Sequence, residues 1–254
     1  MGRALARGLT ERGDQVVVLS PTALDGVPAL WVQADAVSGR GLRSPIRQAD
    51  VVVFAAAGST AAHRSQVALE GARNASSAAA EAGARFVLLG PTGADGCVSD
   101  HAQAHVAGVS ECQAASPALS VVRLPVLFGA DDRWIGPWLR SARRGRRVAV
   151  AGGRRVVQPL WTGDAVAAVC RAIDGLQSAP VVQVAGPESI TLDDAARAVQ
   201  EQFSVGRGLP IGAPKPRADE APLLDAQLDA VDDWDTLGLP ARTTLHAFLS
   251  RVTS

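Results

Sequence analysis

The segment His101-Ala-Gln-Ala-His105 holds two of the four histidines of the chain, four residues apart. On a helix that spacing stacks both imidazoles on one face. An unperturbed imidazole titrates near neutral pH, so such a pair suits proton transfer. It equally suits a two-point metal clip, or a polar helix face with no chemistry at all. A metal needs further ligands. Asp95 and Asp100 are the nearest carboxylates, no Glu sits between the histidines as in HExxH, and no metal site is expected. Tyrosine is absent, and Lys215 is the only lysine, so a Tyr acid or a Tyr-Lys pair is excluded as catalytic machinery.

Those histidines need elements to hold them. The runs at 15–20 (QVVVLS), 29–35, 50–58, 85–90 and 119–125 are nearly continuous, β-branched and bounded by Gly, Pro or Asp. Such runs are typical of parallel strands buried on both faces. Helical patterns at 2–12, about 61–83 and about 100–116 lie between them, with Gly13-Asp14 closing the first as a C-cap turn. Strand and helix alternating in this way predict an α/β fold with a doubly wound parallel sheet.

After residue 125 the rhythm loosens. A helix is expected at 165–173 with Asp164 as its N-cap, a strand at 181–186, and a helix from a capping-box-like Thr191 to about Phe203. The Pro/Gly-rich stretch 206–222 reads as a loop, with short helices at about 223–233 and 243–252. Residues 1–125 are thus expected to form the core sheet. Residues 126–254 add the remaining elements and a smaller substrate-binding lobe over the carboxyl ends of the strands, all within one integrated domain.

Composition narrows the function class. The 25 Lys+Arg and 25 Asp+Glu cancel, so no global field favours nucleic acid. No apolar run is long enough for a membrane span, and the first residues lack the apolar core of a signal peptide. Cys97, Cys112 and Cys170 are odd in number and scattered, which suits a reducing cytoplasm. Arg140–Arg147 reads as a solvated helix end.

Several stretches in order resemble a known family. GRALARGLTERGDQVVVLS, ADVVVFAAAG, VVRLPVLFGADDRWI, QPLWTGDAVAAV, VAGPESITLDDAARAV and LGLPARTTLHAFL are similar to segments of the extended and atypical short-chain dehydrogenase/reductases, the NAD-dependent epimerase/dehydratase group. The branch with proteins like the complex I accessory subunit is the nearest flavour. The resemblance implies a Rossmann-like sheet, an NAD or NADP cofactor and a small-molecule substrate. It implies cofactor contacts at Gly2, at the end of the second strand near Ser20, at Asp35, at Ala56, Ala57 and Gly58, and at Pro125. A turn at the strand end is the other reading of Asp35. Leu127, Trp134 and Trp138 fall where the family borders its substrate, with ordinary core as the other reading.

The sequence departs from the family in three places. The family opens with a strand and Gly-x-x-Gly-x-x-Gly, which lets backbone amides approach a diphosphate. Here only the last glycine, Gly2, is present, so the sheet is expected to lack its first and central strand and to leave open edges on both neighbours. A start placed too late in the gene, or a true truncation that ends dinucleotide binding, would each produce this. The family's Tyr-x-x-x-Lys falls on His101 and His105, and its Ser/Thr falls at Pro91, beside Thr92. Neither histidine supplies the constant charge of lysine. The leading expectation is an enzyme of specialised metabolism that moves protons without hydride. His101 would act as acid/base, with His105 in support and Thr92 hydrogen bonding; isomerisation, cyclisation, elimination or epimerisation all fit. An NAD(P)-dependent epimerase or oxidoreductase from a truncated gene model is the first alternative, and a non-catalytic nucleotide-sensing or assembly subunit the second. Oligomeric state is not readable.

Overall fold

The computed structural model describes residues 1–116, 118–129, 132, 135–149, 153–175, 181–205, 210–212 and 232–253. Helix α1 (Gly2–Glu11) leads, through a turn with Gly13 at φ +97°, into β1 (Val17–Ser20) and β2 (Leu30–Gln33). After the short α2 (Arg43–Ile46) come β3 (Val51–Phe54) and α3 (Ala61–Gln66). A π-helical turn, Val67–Gly71, joins α3 to α4 (Ala72–Ala82). Then follow β4 (Arg85–Pro91), α5 (Asp100–Ala115) and β5 (Leu119–Leu124).

The second half contributes β6 (Leu127–Phe128), α6 (Ile135–Ala142), β7 (Arg147–Ala149), β8 (Val156–Val157), β9 (Leu160–Trp161), α7 (Thr162–Ile173) and β10 (Val181–Gln183). It ends with β11 (Ile190–Thr191), α8 (Leu192–Gln202), β12 (Pro210–Gly212) and α9 (Leu245–Thr253).

The main sheet is parallel, in the order β10-β5-β4-β3, and β1-β2 forms a separate parallel pair. This is the Rossmann-like α/β arrangement expected. Among the described residues β1 pairs with β2 alone and β3 with β4 alone. The central strands β4 and β5 are continuous apolar runs because helices cover both faces. One face packs Phe86, Leu88 and Val121 against α4 and α5, with Ala75, Ala79 and Cys112. The other packs Val87 and Val122 against Leu5 of α1 and Val169 of α7. The small alanine side chains let α4 approach the sheet closely. A third apolar cluster, with Phe128, Trp138, Leu192 and Leu249, is built wholly from residues after 125.

Several expectations need correction. The strand expected at 50–58 ends at Phe54, and residues 55–58 are irregular, followed by a bend at 59–60. The strand expected at 181–186 ends at Gln183. The helix expected at 165–173 starts at Thr162 with Trp161 as its N-cap, so Asp164 lies inside the first turn. Its Oδ2 instead accepts from Thr243 N at 2.6 Å, tying α7 to the approach of α9. The stretch 206–222 holds regular structure at Pro210–Gly212, which pairs with β7 in parallel. Most of the helix expected at 223–233 lies outside the described residues, and Asp232 and Asp233 are not helical.

Candidate active site

The carboxyl ends of β3, β4 and β5 open onto one edge of the sheet, where ligands bind in open α/β folds. Beyond β4, Ser99 caps α5 by accepting from Ala102 N at 3.3 Å. That cap fixes the phase of α5, so His105 falls on its buried face and His101 is only half-buried, one turn nearer the helix start.

His105 is 2% exposed. Its ring lies over the backbone of Gly90, where an added Cβ would stand 1.9 Å from Nε2. Glycine is therefore required at 90 by close approach rather than by φ. Among the described residues Nε2 has no hydrogen-bond partner. Burial, then the charges of Arg123 and His101, push the His105 pKa down to about 4, with Asp95 opposing. His105 is therefore neutral at pH 7 and cannot supply the fixed charge of a lysine.

A fixed charge near His105 is that of Arg123. Arg123 is opposite Gly90 in the β4–β5 register and only 3% exposed. Its guanidinium forms a two-pronged pair with Asp95, Nη2 donating to Oδ1 at 2.9 Å and Nη1 to Oδ2. The hydrogen bond from Arg123 holds the Asp95 carboxyl below its usual range. Gly93 N donates to Gln183 Oε1 at 3.2 Å. Residues 92–96 are thus pinned to β5 and β10.

Thr92 belongs to the same tie. It is 0% exposed, and Oγ1 donates to Val184 O at 3.0 Å. Strand β4 runs on through Pro91, which turns Thr92 inward. The hydroxyl expected to hydrogen bond at the site is thus engaged in a bond between β4 and the segment after β10.

The residues expected to hold a dinucleotide lie along the same edge. Ala56 and Ala57 are exposed beyond β3. Gly58 is buried, and a Cβ there would stand 2.4 Å from Arg64 N, so it serves the tight entry into α3. Gly2 has open space around it, and Met1 makes no side-chain cap bond to α1. Ser20 Oγ donates to Thr22 O at 2.6 Å and accepts from Trp31 Nε1 at 3.0 Å. Asp35 accepts from Val37 N and Ser38 Oγ, each at 3.0 Å, which is the strand-end turn. Pro125 is buried. A diphosphate fits the uncapped amides of α1. The nicotinamide-ribose end fits poorly, since His105 is buried and neutral.

Leu127 is half-buried in β6. Trp138 is 1% exposed and sits in the late core cluster. It borders an apolar cavity of ≈ 20 Å³ with Phe128, Val157, Leu192 and Leu245, and its Nε1 has no partner among the described residues. Trp134 lies outside the described residues. The arginines of the 140–147 cluster are exposed, as a solvated helix end should be. No group of three potential metal ligands occurs among the described residues, and no helix among them is long and apolar enough to cross a membrane.

Sequence reasoning missed Arg123 and Gln183. The signal for the first was present: one arginine inside the apolar run LSVVRLP must be buried with a partner. Nothing in the sequence announced Gln183.

No family model matches the chain. One curated relative, a ceramide reductase of Caulobacter vibrioides, is 32% identical over 143 residues, covering 52% of this chain and 44% of the relative. The matching stretch therefore spans less than half of that protein. Solved structures match end to end. A UDP-glucose 4-epimerase of Thermotoga maritima superposes with a TM-score of 0.80 at 15% identity, over 99% of this chain and 94% of that one. A GalE-like L-threonine dehydrogenase of Cupriavidus necator gives 0.79 at 17%, over 99% and 95%. The Bordetella bronchiseptica enzyme WbmH, solved with NAD+, gives 0.77 at 18%, over 98% and 92%. At these identities the likeness establishes the fold, that of NAD-dependent epimerases and dehydratases.

Proposed function

We propose that this chain is an enzyme of the short-chain dehydrogenase/reductase type that transfers a proton to or from a small organic substrate at His101. The observation that carries this reading is the unequal placement of the two histidines. His105 is buried against Gly90 and neutral, whereas His101 is half-buried on the same helix face, one turn closer to the open edge. A neutral imidazole can take a proton, and its conjugate acid can return it to the other face or to a neighbouring carbon. Isomerisation, epimerisation, elimination or cyclisation follows from where it is returned.

The remaining groups position rather than react. Arg123, locked by Asp95, fixes the 92–96 loop and places a permanent cation beside the histidines. The half-buried Leu127 borders the substrate on the side of the later elements. A dinucleotide would meet the amides of α1 and the irregular segment Ala56–Gly58 and, when bound, would supply hydride acceptance or donation. The UDP-glucose of one neighbour suggests nucleotide sugars, and the curated relative suggests ceramide-like compounds, as the first classes to assay.

Solvent exchange tests the reading. The chain is incubated in deuterated water with UDP-sugars and with ceramide-like compounds, and deuterium is followed at carbons adjacent to oxygen. We expect incorporation with the parent chain and at least about a 100-fold slower rate with His101→Ala. Incorporation undiminished by that substitution would remove His101 from the mechanism. No incorporation from either class, with a folded protein, would favour a non-catalytic role.

A further inference from the structure

The arginines at the end of α6 take no part in the site described above. Arg140, Arg143, Arg144, Arg146 and Arg147 place a formal charge of +5 on eight residues that include no acid. With 25 basic and 25 acidic residues in the whole chain, the remainder carries −5. All five side chains are exposed. Among the described residues none of the five forms an ion pair.

The helix end accounts for little of this charge. Cations in a last turn meet the negative end of the helix dipole, and that turn of α6 holds Arg140. The other four follow, and the backbone folds tightly beneath them. Ser141 O accepts from Arg144 N and from Arg146 N, each at 3.0 Å, and Gly145 stands at φ +67°. Like charges crowded in this way repel one another, and an anionic partner offsets the repulsion.

The surroundings select the chemistry of that partner. Arg143 Cζ lies 5.9 Å from the centroid of the Phe203 ring, and Nη2 donates to Val252 O at 3.4 Å. Arg147 Nε donates to Gln200 Oε1 at 3.4 Å. The cluster therefore shares one surface with the ends of α8 and α9. Phe203, Val205 and Val252 are half-buried there, packed against the late apolar cluster. Cations with apolar side chains beside them suit phosphate headgroups above acyl chains. A nucleic acid would need an open aromatic face for stacking, and Arg143 covers Phe203. The −5 on the rest of the chain repels an anionic surface, so one orientation is favoured, with the cluster inward.

We propose that the Arg140–Arg147 cluster, with Phe203, Val205 and Val252 beside it, is a docking surface for an anionic lipid bilayer. Docking there involves no step at His101.

The test is sedimentation of the 254-residue chain with vesicles of phosphatidylcholine, alone or with about 30% phosphatidylglycerol. Partition onto the anionic vesicles should exceed that onto the neutral ones by at least about 100-fold at low salt, and fall steeply as salt rises to about 0.5 M. The side chains of Arg144 and Arg146 make no hydrogen bond or ion pair among the described residues. Arg144→Gln with Arg146→Gln should therefore keep the parent Tm and lose about 25-fold in partition, about fivefold for each charge. Arg47→Gln with Arg73→Gln removes the same charge from exposed positions elsewhere and should change partition by less than about threefold. Three results overturn the proposal: equal partition onto both kinds of vesicle, equal losses from the two pairs of substitutions, or binding to a DNA duplex or to polyglutamate in place of the anionic vesicles.

Discussion

Acid should destabilise this fold through His105, and the size of the effect follows from its burial. The group is 2% exposed, and its pKa falls from 6.5 in the unfolded chain to about 4 in the folded one. Above pH 6.5 both states leave it neutral, and its contribution to stability is complete. Between 6.5 and about 4 the unfolded chain binds a proton that the folded chain refuses, so stability is lost steadily as pH falls through that window. Below about 4 both states are protonated and the loss is constant. The interval converts to about 3 kcal/mol, since each pH unit is worth about 1.4.

His105→Gln isolates the effect, because glutamine fills much of the same volume and does not titrate. Urea unfolding of both proteins is followed from pH 8 to pH 3.5, and the difference in unfolding free energy is plotted against pH. The curve should be flat above 6.5 and fall by about 3 kcal/mol at the expense of the parent chain by about pH 4. Asp164 has the opposite sign, because burial raises its pKa, but it is common to both proteins and cancels. A difference curve flat throughout would mean that His105 is solvated or paired in solution, and the reasoning about its neutral state would fail.

Gly90→Ala should cost about 2–3 kcal/mol by driving a methyl group into the His105 ring, and most of that should vanish in a His105→Ala background; additive losses in a double-mutant cycle would contradict the contact. Asp95→Asn strips the carboxylate from a buried guanidinium and should cost about 1–3 kcal/mol, with faster amide exchange in residues 92–96; unchanged exchange there would mean that the pair pins nothing. Thr92→Val should lower stability by about 1–2 kcal/mol by orphaning Val184 O, while leaving any deuterium-exchange rate at saturating substrate within about twofold. Trp138→Phe removes an indole N–H that has no partner among the described residues, so its cost should be the packing loss alone, about 1–2 kcal/mol; a loss above about 4 kcal/mol would contradict that reading.

The parts legible in the sequence were those with enough residues to show a period. β4 and β5 announce themselves because six or seven mostly apolar residues in a row have no other economical home. The pairs β6–β9 and β8–β11 involve two residues a side, too few for any pattern. β12 was hidden by its Pro and Gly; Pro210 stands at the first position of the strand, where a missing N–H is tolerated. The π turn was invisible because it depends on how Gly71 slides beneath Phe54, a tertiary fact.

The candidate site divides along the same physical line. Spacing alone put His101 and His105 on one face of α5, and the helix obliges. What spacing could not give is depth. The Ser99 cap starts the helix, Gly90 admits the second ring, and Arg123 adds its charge nearby. Two chemically identical side chains one turn apart thereby acquire different environments, one sealed and neutral and the other half-buried. A four-residue repeat of histidine would normally be read as a symmetric pair. Here the two differ in depth, and the proposed proton transfer rests on that difference, because a proton carrier must reach solvent or substrate, which a buried imidazole held neutral does not.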